Sequence, residues 1–269
     1  VCGDCFDYYS AKFMNCDVCK CVIDDTFDYL CFDERTLQDM CETCFFNNNH
    51  YHYHDYKHKV KFLHHKYNSR KHHLHIGAEL ELETTSRKNK NDFLKNFQDN
   101  ILKDYFTIKY DGSLNRYGVE IVSQPMTKEV FADYWVELFK LINQYNFHES
   151  NNCGLHFHLD RMYLDENTIR NIDYLINTEY RYLSSIAGRE YNNNEYCEII
   201  NKYPHQWGKD IYGKYCAVNL SKNDTVEIRI CASTNDYHTF ENRIKAMFNI
   251  VDFCKNNSLK NVMAINISF

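Results

Sequence analysis

The sequence predicts an α+β fold: a mostly antiparallel sheet backed by helices on one face and preceded by a small cysteine-rich module. Strict alternation of apolar and polar residues in several short stretches is the mark of strands with one buried face. Apolar residues three and four apart in the longer segments between them mark amphipathic helices. Strands of this kind pair antiparallel, bury one face under helices and leave the polar face open. With 269 residues the chain has room for one large domain, or a domain and a module. Three regions are therefore expected: a cysteine-rich zinc-binding module over 1–49, a histidine-rich basic connector over 50–75 and the main domain over 76–269.

Eight of the thirteen cysteines precede residue 45: Cys2, Cys5, Cys16, Cys19, Cys21, Cys31, Cys41 and Cys44. That density implies a framework of zinc or of disulfides. The Cys-x-x-Cys pairs 2/5, 16/19 and 41/44 favour zinc, because a tight knuckle presents two thiolates to one tetrahedral ion and such close neighbours rarely suit a structural disulfide. Val1-Cys2-Gly3-Asp4-Cys5-Phe6 recurs as Met40-Cys41-Glu42-Thr43-Cys44-Phe45, an internal repeat. Read that way, Cys16, Cys19, Cys41 and Cys44 close one structural Zn²⁺ site. Cys2 and Cys5 are either half of a finger that begins upstream or are completed by Cys21 and Cys31. Val1 in place of Met suggests a fragment.

Residues 50–75 hold nine histidines among Lys57, Lys59, Lys61, Lys66, Arg70 and Lys71. The functional readings are a nucleic-acid contact through 57–71 or further metal ligands. A solvated hairpin or linker is favoured over both.

A regular series follows. Gly77-Ala78-Glu79-Leu80-Glu81-Leu82-Glu83 is a strand with three carboxylates on one face. A helix is expected near 91–102 with Phe93, Phe97 and Ile101 on one stripe, then strands near 105–110 and 118–123 around the turn Asp111-Gly112-Ser113. Pro125 and Thr127 open a helix carrying Val130, Tyr134, Leu138 and Leu141. Gly154-Leu155-His156-Phe157-His158-Leu159-Asp160 is the next strand. Asp165 caps a helix running through Ile169, Ile172, Ile176 and Leu183 to Gly188. Residues 189–213 form an irregular segment with Trp207 and several Tyr, a candidate lid. Strands at 215–220 and 225–231 precede a last helix with Phe240, Ile244, Met247 and Val251.

The polar faces of these strands carry the chemistry. Carboxylates on alternate residues lie about 7 Å apart and repel unless water or a cation screens them. Glu79, Glu81 and Glu83 alone are compatible with a solvated sheet face, but His156, His158 and Asp160 share one face of a later strand, and Thr225, Glu227 and Arg229 one face of another. Glu120 sits in a third. If these faces coincide, the sheet bears several Glu, two His and an Arg, with little Lys or Thr to make it an ordinary solvated surface. Carboxylates with imidazoles are a ligand set for Mg²⁺ or Mn²⁺, and a guanidinium fork beside them suits a phosphate oxygen.

Gly77-Ala78-Glu79-Leu80-Glu81, Tyr110-Asp111-Gly112-Ser113-Leu114, Gly118-Val119-Glu120-Ile121-Val122-Ser123-Gln124-Pro125, Cys153-Gly154-Leu155-His156-Phe157-His158-Leu159-Asp160, Ala217-Val218-Asn219-Leu220 and Val226-Glu227-Ile228-Arg229 resemble, in order, the motifs of the amidoligase family. That family belongs with the glutamine synthetase-like carboxylate–amine ligases, and the resemblance covers roughly residues 76–255. Cysteine-pair fingers ahead of such a domain are similar to those of some phage and viral members, and the low proline count with many Asn, Lys, Tyr and Ile suits an AT-rich genome. The resemblance implies an ATP-dependent ligase acting through an acyl phosphate. It implies that Glu79, His156 and Glu227 hold one Mg²⁺ (or Mn²⁺) beside the ATP phosphates, with His158 supporting or replacing His156. Glu81 and Glu120 would hold a second ion, and Arg229 would steady the transferred phosphoryl group. Asp111 would complete a metal site or help deprotonate the amine, and Arg189 would clamp a phosphate or substrate.

The implied substrates are a carboxylate and an amine or amino acid, with a peptide or protein side chain also open. The same fold supports amide hydrolysis and phosphoryl transfer, and a zinc-finger adaptor with an idle catalytic domain is the reading from another class. The net charge of −6 gives the whole molecule no general attraction to nucleic acid or acidic membranes. No apolar run approaches the roughly 18 residues of a membrane span, so a cytoplasmic protein is expected, in the host cytoplasm if viral or phage.

Overall fold

The computed structural model describes residues 13–17, 20–24, 30–33, 38–41, 60–64, 73–189, 197–203, 205–210 and 213–264, with most of the first unit's strand residues described by their backbone alone. It comprises two compact units, Val1–Tyr53 and His54–Phe269. The first contains the antiparallel pair β1 (Phe13–Asn15) and β2 (Val22–Asp24) and a second pair, β3 (Leu30–Asp33) and β4 (Gln38–Cys41). Cys16 is buried at the turn after β1, where its N–H donates to the carbonyl of Cys21 (2.9 Å) and its carbonyl accepts from the N–H of Lys20 (2.9 Å). Lys20 takes the left-handed φ of 62° that closes this turn. Cys2, Cys5, Cys19 and Cys44 lie outside the described residues, so the expected zinc site does too.

The second unit is built on six antiparallel strands in the order β6-β7-β5-β8-β10-β9. They are β5 (Ile76–Leu82), β6 (Phe106–Lys109), β7 (Val119–Ser123), β8 (Gly154–Asp160), β9 (Val218–Asn219) and β10 (Thr225–Ala232). Alternation works as the sequence dictates: Ala78, Leu80 and Leu82, then Leu155, Phe157 and Leu159, then Val226 and Ile228 are all buried on the apolar face. Helices α1 (Arg87–Asp99), α2 (Lys128–Gln144), α3 (Glu166–Thr178), α4 (Tyr180–Ala187), α5 (Tyr237–Asn256) and α6 (Leu259–Met263) complete the unit. Aromatic rings pack between its helices, with Trp135 and Phe139 of α2 against Phe240 of α5 at ring separations of 4.2 and 5.1 Å. Those two α2 side chains are core members that the expected stripe omitted, while Tyr134 on that stripe is half-buried and stacks on Tyr105.

Several boundaries differ from expectation for local reasons. Helix α1 begins at Arg87 because the Ser86 hydroxyl accepts from the N–H of Asn89. It stops at Asp99, where Asn100 caps a separate 3₁₀ turn, Ile101–Asp104, leaving Ile101 65% exposed instead of on the apolar stripe. The helix expected to run unbroken to Gly188 is two helices separated at Glu179; Gly188 then ends α4 with a φ of 70°. The strand expected at 215–220 shortens to β9, since Cys216 bridges Glu198 instead. Part of the connector joins this unit: Leu63 exchanges backbone bonds with Pro125 and Thr127, and His64 Nδ1 lies 3.1 Å from Nε2 of the buried His75. Of the basic residues at 57–71, only Lys61 is described. Among the described residues, no helix is long and apolar enough to cross a membrane.

Candidate active site

Strand register collects the polar side chains on one face. Glu81 of β5 stands opposite Glu120 of β7, Glu79 opposite His156 of β8, and His158 opposite Glu227 of β10. A bulge in β10 between Ile228 and Cys231 inserts one residue, and Arg229 leaves the bulge on the site side. Gly154 admits this crowding, since a Cβ there would sit 2.6 Å from His156 Nε2 and 2.9 Å from Arg189 Nη2.

One atom each of Glu79, His158 and Glu227 falls within 4.8 Å of the others, a spacing that can hold a metal ion. His158 Nε2 lies 3.0 Å from Glu79. His156 Nδ1 is 3.5 Å from Glu79, 3.9 Å from Glu81 and 4.0 Å from Glu227. Both of these imidazole nitrogens are buried and lack a well-formed hydrogen bond, a condition that a cation would relieve. The tight trio thus contains His158, while His156 stands at the centre of three carboxylates.

The charges are strongly coupled. Burial opposes ionisation of Glu79, but His158 and His156 outweigh it and hold the carboxyl well below its usual range. Burial likewise resists ionisation of Glu227, where His158, Lys222 and Arg229 prevail and lower it. Glu81 is raised by burial, although His156 and the Gly154 N–H at 2.5 Å favour its charge. Burial, reinforced by Glu79, pushes Glu120 up to about 8.

Glu81 and His156 also line a cavity of about 360 Å³, together with Asp111, Arg189, Lys214 and Arg229, among others. Asp111 is held by the N–H and hydroxyl of Ser113 at 2.7 and 2.6 Å. Arg189 donates to the carbonyl of Cys153 (3.1 Å), and Arg229 pairs with Glu227 (2.6 Å). The sequence-derived residues of the main domain therefore do converge. What the sequence reading missed is the cationic and amide surround. Lys109 faces Glu120 at 3.8 Å, Lys222 lies 3.2 Å from Glu227, and the Asn219 amide donates to Glu227 at 2.6 Å. The face carries more Lys than expected. Alternation along Thr107-Ile108-Lys109 signalled a polar-face lysine, but only the β6–β7 register shows which carboxylate it meets.

A family profile described as "Putative amidoligase enzyme" matches residues 33–211. The chain belongs to that amidoligase family. The description is of a ligase-type enzyme, and the match spans more than half of the chain. It begins inside the first unit and ends before β10, so Glu227 and Arg229 lie outside the matched residues. No curated protein matches the chain.

Proposed function

We propose that this family member is an ATP-dependent carboxylate–amine ligase that activates its carboxylate as an acyl phosphate. The observation that carries the reading is the convergence of Glu79, His158 and Glu227 within 4.8 Å, with Glu227 paired to Arg229, which lines a cavity together with Arg189. A Mg²⁺ or Mn²⁺ held by that trio, with His156 beside it, would screen the negative charge of phosphate oxygens. Arg229 would contact the phosphoryl group in transit through its planar fork, and Arg189 would orient a phosphate or carboxylate.

The substrate carboxylate oxygen attacks the γ-phosphorus, the bond to the β,γ-bridging oxygen breaks and ADP leaves. The amine nitrogen then attacks the acyl carbon, the bond from that carbon to the phosphate oxygen breaks, and inorganic phosphate departs. Asp111, oriented by Ser113, is the group we assign to accept the amine proton. Burial of the sheet-face carboxylates would limit the water able to hydrolyse the acyl phosphate.

The test combines enzyme, ATP and Mg²⁺ with cell extract and searches by mass spectrometry for species joined with loss of water. Formation of ADP should depend on added amine. Glu79→Gln, which removes a ligand of the trio, should still unfold cooperatively and lose turnover by at least about a hundredfold. Wild-type turnover by the variant, or ATP consumption indifferent to amines, would overturn the reading.

A further inference from the structure

We propose that Lys109 serves as a built-in cation for Glu120, supplying the positive charge that a second divalent ion would otherwise bring. This chain then holds one tight divalent cation on its sheet. The inference rests on the metal reading above and deepens it.

The two ends of the carboxylate row are built differently. Around Glu79, both imidazole nitrogens point inward, 3.0 and 3.5 Å from its oxygens, and neither has a well-formed hydrogen bond. Around Glu120, among the described residues, no imidazole lies within ion-pair distance and the partner is Lys109 at 3.8 Å. Direct cross-strand register between β6 and β7 sets this pair, and each of its side chains is only 11% exposed. Lys222, which pairs with Glu227 at the other end, is 46% exposed and can swing into solvent. Lys109 has no such freedom. A dication and an ammonium cannot share one buried carboxylate without repelling each other, so a second ion at Glu120 must first displace Lys109. Of the other carboxylates near it, Glu81 is already engaged by the Gly154 N–H and Asp111 by the N–H and hydroxyl of Ser113.

Manganese titration of the whole protein, followed by the electron paramagnetic resonance of free Mn²⁺, tests this without turnover. The wild type should bind one tight equivalent. Lys109→Met should gain a second, strengthened about tenfold or more over any weak second binding in the wild type. Glu120→Gln, a nearly isosteric change, should keep the single equivalent, and it decides the matter if Lys109→Met fails to fold. Two equivalents of comparable affinity in the wild type, an unstrengthened second site in Lys109→Met, or loss of an equivalent in Glu120→Gln would each overturn the inference. Absence of Mn²⁺ binding to the wild type would instead remove the metal reading, and the inference with it.

Discussion

Lys90 shows how one buried side chain ties the scaffold to the site. It is 8% exposed in α1, and its ammonium donates to the carbonyls of Arg116 and Gly118 at 3.2 and 3.0 Å. Glu83 assists by accepting the N–H of Asn115 at 2.7 Å, so the loop that carries Asp111 is fastened at its far end. Burial lowers the Lys90 pKa from 10.5 to about 8. Below pH 8 both folded and unfolded chains hold the proton, and the full penalty of a buried charge applies. Between pH 8 and 10.5 the unfolded chain keeps a proton that the folded chain has lost, so stability rises with pH. The shift corresponds to about 3 kcal/mol over the window. Urea unfolding at pH 7.5 and pH 10 should show most of this gain, about 2 kcal/mol, in the wild type relative to Lys90→Met. Parallel pH dependence in the two proteins would refute it.

At the scale of elements, α3 grips the segment expected to form a lid. Asp173, fully buried, accepts from Lys202 Nζ at 2.7 Å, the Gly208 N–H at 2.8 Å and the Asn177 amide at 2.9 Å. Asn177 also accepts the N–H of Ile200, and Trp207 is buried edge-on against Tyr174 at 5.4 Å. Gly208 adopts a φ of 80° and passes so close to Arg170 that a Cβ would lie 3.2 Å from its backbone. The described part of 197–210 is therefore a packed strut with Trp207 buried in it, while residues 190–196, 204, 211 and 212 of the candidate lid over 189–213 lie outside the described residues. Glu198 exchanges backbone bonds with Tyr215 and Ala217, whose carbonyl accepts the N–H of Arg229. The strut thus braces the cavity wall. Asp173→Asn should destabilise the protein by about 3–5 kcal/mol by stranding the Lys202 ammonium, and adding Lys202→Met should recover most of it. Chemical denaturation of the single and double variants measures both, and an additive loss in the double variant would contradict the coupling.

For the molecule as a whole, among the described residues the unit His54–Phe269 contains every buried apolar side chain except Cys16, and all the site residues of the sheet. Its edge includes the strap at Leu63, so the expected boundary before residue 76 would cut a paired segment. A protein beginning at His54 should unfold in one cooperative transition and bind Mn²⁺ as the full chain does. Calorimetry and manganese titration check this. A non-cooperative melt, or binding weakened more than about tenfold, would show that residues 1–53 complete the site.

The sequence by itself determined the strands and the face on which each side chain lies, because alternation is a local property of the pleat: Glu79, Glu81, His156, His158 and Glu227 all stand on the side their parity assigns. It also determined the caps at Asp165 and Gly188. Pairing partners were another matter. That Glu81 meets Glu120, that Lys109 meets Glu120, and that His158 joins Glu79 and Glu227 in the tightest trio depend on register between strands far apart in the chain. The β10 bulge and the fastening of 197–208 to α3 depend likewise on packing between distant segments. Such contacts are set by the burial of the whole apolar face at once, which no single stretch of sequence encodes.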